Sequence, residues 1–114
     1  MNKIISIALL LILCFSLPFT INAAEVLQVS NSSSLIIGDQ NRNYTIKLAC
    51  LDVKEENEYS VINFLNSELP RHTKINLRPR GSIEGVLIAQ VIKIASEEDI
   101  ASEIVSKGLG SFSC

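Results

Sequence analysis

Apolar residues fall at alternate positions through much of the chain between Val26 and Ile94, and at helical spacing in two places. Val26 to Val29 and Leu35 to Ile37 read as short strands. The polar stretch Ser30 to Ser34 joins them, and Gly38-Asp39-Gln40-Asn41 follows as a second turn, so the pair predicts a hairpin. Tyr44 to Leu51 alternates as a third strand, with Tyr44, Ile46, Leu48 and Cys50 on one face and Lys47 on the other. Asn57 to Leu69 steps by three and four through Ile62, Leu65 and Leu69, flanked by Val61 and Phe64, which predicts a helix stopped by Pro70. Lys74 to Leu77 reads as a short strand and Arg78-Pro79-Arg80-Gly81 as a turn. Val86 to Ile94 is apolar on both faces, the pattern of a strand buried on both sides. Ser96 and Asp99 resemble a capping box before a helix that buries Ile100, Ile104 and Val105 and stops at Lys107-Gly108.

The order β-β-β-α-β-β-α predicts a β-rich α+β fold. Its expected form is a five-stranded Greek-key barrel of the oligonucleotide/oligosaccharide-binding (OB) type with two packed helices. The first residues carry a different pattern. Lys3 precedes an almost wholly apolar run, Ile4 to Phe19, and small residues follow at Ala23-Ala24. This is the layout of a secretory signal peptide over 1–23, leaving one domain over 24–114. The run is shorter than the roughly 18 residues a spanning helix requires, so no stable membrane insertion is expected after cleavage. The expected location is extracytoplasmic: secreted, periplasmic or lumenal.

Charge excludes one simple class. The chain carries 10 Lys and Arg against 12 Asp and Glu. Lys3 is the only charge in the leader, so the domain is slightly acidic and has no overall field that gathers nucleic acid. One local cationic stretch remains: Arg71, His72, Lys74, Arg78 and Arg80 follow one another without an intervening acid. Lys74, Arg78 and Arg80 are its candidate nucleic-acid-binding residues, and a charge-protected edge strand is the alternative. His72, the only histidine, has no partner cluster and reads as an exposed residue. Cys50 and Cys114 remain after the leader; the even count favours a disulfide, with two free thiols as the alternative.

Three segments, in this order, resemble the staphylococcal nuclease-like (thermonuclease) family. Ile46-Lys47-Leu48-Ala49-Cys50-Leu51-Asp52-Val53-Lys54-Glu55 stands against the family's V-R-L-x-G-I-D-A-P-E. Gly85-Val86-Leu87-Ile88-Ala89 stands against Y-G-R-x-L-A, and Ile104-Val105-Ser106-Lys107-Gly108-Leu109-Gly110 against L-V-x-x-G-L-A. The resemblance spans about Val26 to Gly110, and the order and spacing carry it, not any single motif. Some exported members look similar in their cysteines as well, which supports the Cys50–Cys114 pairing.

The resemblance implies a Ca²⁺-dependent phosphodiesterase site, carried over residue by residue. Asp52 stands at a metal aspartate and Glu55 at the catalytic glutamate. Lys47 stands at the first phosphate-gripping arginine and keeps the charge without the planar fork. Ser33, within Asn31-Ser32-Ser33-Ser34, replaces the other metal aspartate, and Val86 replaces the second arginine. Losing one preorganised donor to developing charge costs about 3–4 kcal/mol, or 10²–10³ in rate. The expectation is therefore a degraded site in a non-catalytic binding or interaction module, with no cofactor. A weak Ca²⁺-dependent nuclease is one alternative, and an accessory subunit of an extracytoplasmic complex is another. Nucleic acid and another protein are both candidate partners; oligomeric state stays open.

Overall fold

A computed structural model describes residues 23–114. The signal-peptide reading concerns residues that lie almost wholly outside this range. Five strands close a barrel in the order β1-β2-β3-β6-β5: β1 Ala24–Asn31, β2 Ser34–Asp39, β3 Arg42–Leu48, β5 Lys74–Ile83 and β6 Val86–Lys93. All neighbours are antiparallel except β3 and β6, which run parallel. This mixed closed barrel with two helices is compatible with the OB type. A two-residue pair, β4 (Leu51–Asp52) with β7 (Ser111–Phe112), lies outside it.

The alternation of the sequence becomes the barrel interior. Val26, Leu35, Ile37, Ile46, Leu48, Ile75, Ala89 and Val91 point inward and are almost completely buried. Helix α1, Glu58–Glu68, adds Val61, Leu65 and Leu69 to the same core and packs beside β1. Its buried seam therefore steps by four from Val61, and Ile62 sits at the flank. Helix α2, Ile100–Ser106, packs beside β6 through Ile100, Ala101 and Ile104. Lys93 Nζ donates to Glu68 Oε2 at 2.7 Å, tying β6 to α1. The Lys107 ammonium sits 5.4 Å from the Phe64 ring centre, tying the end of α2 to α1. No helix among the described residues is long and apolar enough to cross a membrane.

Four expectations change. The third strand ends at Leu48, not Leu51: the chain turns at Ala49-Cys50, and Cys50 takes a left-handed φ of 59°. Cys50 is therefore a turn residue. The apolar run hid this because Leu51 is buried on the far side of the turn. Arg78-Pro79-Arg80-Gly81 is strand, not turn. β5 runs ten residues, and a bulge between Pro79 and Gly81 absorbs Arg80. The hairpin instead turns at Glu84-Gly85, both at positive φ, as a two-residue connection requires. Ser96 does not cap α2. Asp99 takes the cap position, and its carboxylate receives Ser102 Oγ at 2.8 Å, not a backbone N–H. Finally, β6 is buried on one face only. Ala89 and Val91 are enclosed, whereas Val86, Ile88 and Ile92 are only partly buried and stand outside the core cluster.

The α2 terminus follows its sequence closely. Leu109 N–H reaches Ile104 O at 3.1 Å and Gly108 N–H reaches Val105 O at 3.0 Å, a Schellman stop with Gly108 at φ 74°. Two residues on, a β-carbon at Gly110 would stand 3.1 Å from Asp52 O and 3.2 Å from Ile104 Cγ2. That closeness lets the tail run on into β7. Cys114 is bonded to Cys50 as a disulfide, and Ser113 N–H donates to Cys50 O at 2.8 Å.

Candidate functional site

Three of the site positions come together on the outer face of the barrel. Ser33 lies in the β1–β2 turn, where its carbonyl accepts Leu48 N–H at 2.8 Å and so sits against the end of β3. Lys47 on β3 is opposite Ser34 on β2 and opposite Ile88 on β6. Val86 is two residues before Ile88 on the same face and opposite Ile83. An arginine at position 86 would thus lie diagonally across from Lys47, about 7–8 Å away at Cα. Lys47 is exposed and has no carboxylate partner among the described residues.

Asp52 and Glu55 follow the end of β3, beyond the Ala49-Cys50 turn. Asp52 is on β4, opposite Ser111 of β7. It lines an open cleft of about 340 Å³ with Lys54, Glu56, Asn57, Gly110 and Ser111. Glu55 starts the 3₁₀ turn Glu55–Asn57 ahead of α1 and opens onto a shallower depression with Lys54 and Glu56. Neither carboxylate has a hydrogen-bond or ion-pair partner among the described residues.

A calcium ion takes six to eight oxygen ligands, several of them carboxylates. Among the described residues no three His, Cys, Asp or Glu side chains come together to hold a metal. At position 33 the hydroxyl donates to Asn31 Oδ1 at 3.3 Å, alongside its own backbone N–H at 2.9 Å. Ser33 is folded back on its own turn. Asp52 alone offers one carboxylate to its cleft from the expected donor set. These residues do not fit the ion, and no catalytic step is assigned to it.

The cationic stretch is broken up in space. Glu25 on β1 meets Lys74 Nζ at 2.8 Å and His72 Nδ1 at 3.1 Å, joining positions 49 and 47 residues apart. The Lys74 ammonium, then His72, hold the Glu25 carboxyl below its ordinary range. Lys74 is therefore engaged by an acid that lies far from it in sequence. Arg80 Nη2 donates to Gln90 Oε1 at 3.1 Å, and Gln90 Nε2 passes the chain on to Asp99 Oδ2 at 3.1 Å. Arg78 carries no ion pair among the described residues and lines a groove of about 520 Å³ with Asn76, Gln90, Ile92 and Asp99. The Arg80–Gln90–Asp99 chain escaped sequence reasoning. Its signal was present in the alternation Asn76, Arg78, Arg80, once the segment is read as strand.

No protein-family model matches the chain, and no curated protein sequence matches it.

Proposed function

We propose that the chain is an exported, nuclease-like barrel that binds a partner and does not turn over phosphodiesters. The observation that carries this reading is Val86. It occupies the position diagonal to Lys47 on the outer face, and beside it stand Ile83 and Ile88. A phosphate-gripping cup needs a cation there to meet the charge that builds on the phosphoryl oxygens. An aliphatic row offers nothing to that charge and favours an apolar contact.

The test is restoration. The protein and its Ser33→Asp, Lys47→Arg, Val86→Arg variant are incubated with single-stranded DNA and millimolar Ca²⁺. The expected result is metal-dependent cleavage by the triple variant alone, lost again when Glu55→Gln is added. A triple variant with no activity beside an active parent would overturn the reading.

A further inference from the structure

The register of the barrel strands lays out one continuous outer face. Inward positions are fixed by burial: Leu35 and Ile37 on β2, Ile46 and Leu48 on β3, Ala89 and Val91 on β6. The alternate positions face outward. Ser34 and Ile36 on β2 pair with Lys47 and Thr45 on β3; Lys47 pairs with Ile88 on β6; Ile88 and Val86 pair with Gly81 and Ile83 on β5. Ile36, Val86 and Ile88 are partly buried and stand outside the core cluster, and Ile83 is 60% exposed. Four aliphatic side chains on three strands thus share a surface with Lys47 among them. One step along, Arg78 faces outward opposite Gln90, and Arg80 bulges at the same edge. Lys47, Arg78 and Arg80 have no carboxylate within ion-pairing distance among the described residues. The adjoining acids are Glu84, on the turn at the hairpin tip, and Asp99, which receives Gln90.

We propose that this face docks a segment of another protein that presents aliphatic side chains flanked by aspartate or glutamate. The inference rests on the binding reading above and names the partner. An exposed Ile83 beside the partly buried Val86, Ile88 and Ile36 is stabilised by an apolar counterpart, and rim cations select an acidic one through charge complementarity. A nucleic acid is disfavoured by the same residues. The outward positions Ile36, Thr45, Val86, Ile88 and Ile83 offer no aromatic platform for a base. Tyr44 and Phe64 pack on the core, and the exposed Tyr59 and Phe112 stand on α1 and β7, off these strands. Lys74, a cation of the same strand, is neutralised by Glu25.

The experiment selects a phage-displayed library of random 12-residue peptides on the immobilised protein. Enriched peptides are synthesised and their binding is measured by fluorescence polarisation. A 20-nucleotide oligothymidylate serves as the nucleic-acid arm. Ile83, Lys47 and Arg78 are exposed, so Ile83→Ser, Lys47→Glu and Arg78→Glu leave the core intact, and an unchanged thermal melt verifies this. The proposal predicts enrichment of peptides combining Asp or Glu with Leu, Ile or Val, and at least a tenfold weaker affinity for each variant. Absence of enrichment, enrichment of basic peptides, or equal affinity for the variants overturns it. So does oligothymidylate binding that displaces the peptides more tightly than they bind, or parent self-association that Ile83→Ser abolishes, which would make a second copy the occupant. DNA cleavage by the parent would strike the underlying binding reading; failed enrichment without cleavage strikes this inference alone.

Discussion

Replacing Cys114 with serine removes a bridge between positions 64 residues apart. In the chain-entropy account a loop of that length restricts the unfolded chain by about 14–15 cal/mol/K, or about 4 kcal/mol at 25 °C. The folded state loses local contacts too. Ser113 N–H would no longer be held on Cys50 O, and β7 would be free to leave β4. Those contacts are few and exposed, so the unfolded-state term dominates. A domain of this size has only about 5–13 kcal/mol of total stability, so the loss is a large share of it. Urea unfolding followed by far-UV circular dichroism is the assay. With an m-value of about 1 kcal/mol/M, the midpoint should fall by about 3 M or more for Cys114→Ser. A Cys50→Ala, Cys114→Ala variant and the parent in dithiothreitol should match it. If all three unfold within about 0.5 M of the oxidised parent, the bridge does not restrain the chain as argued.

Core truncation should cost a similar amount by another route. Ile46 and Leu35 are fully buried, and Ile46→Ala or Leu35→Ala should each lower the unfolding free energy by about 3–4 kcal/mol in the same assay, whereas Ile83→Ser should change it by less than about 0.5. Gly108→Ala has room for its methyl group but must hold φ 74°, and should cost about 1–2 kcal/mol, read as a melting temperature lower by several degrees. The Glu25 and Glu68 carboxyls are held below their ordinary value of 4.5, Glu25 by Lys74 and then His72, Glu68 by Lys93. Their contribution is fully present above the unfolded pKa and is lost as pH falls through the folded one. Carbon-detected titration of the side-chain carboxyls should find both midpoints below 4.5, and Lys74→Met should move that of Glu25 back up without moving Glu68.

The legible parts of the sequence were those where one local rule acted alone. The alternation through Leu35 to Ile37 and Tyr44 to Leu48 gave strands because each buries one face. Val61, Leu65 and Leu69 gave a helix because their spacing makes one stripe, and Pro70 and Gly108 ended the helices by removing a donor and supplying a left-handed turn. The misread parts were those where tertiary pairing decided. The bulge at Arg80 carries Pro79 and Gly81 through β5, against their usual turn preference. β6 is apolar on both faces, and sequence cannot tell a covered outer face from an open one. Glu25 neutralises Lys74 across 49 residues, beyond any local pattern. Within the site, Lys47, Ser33 and Val86 are adjacent because the register of β2, β3 and β6 makes them so. Asp52 stands outside the barrel wall because β4 pairs with β7 and not with a barrel strand. No spacing in the sequence encodes that.

The central claim is that this barrel binds without turnover. Its most direct test is the rate of single-stranded DNA hydrolysis by the unmodified protein in millimolar Ca²⁺, measured beside Glu55→Gln. The account predicts the same background rate for both. A parent rate that rises with Ca²⁺, collapses on chelation and falls in Glu55→Gln would contradict it.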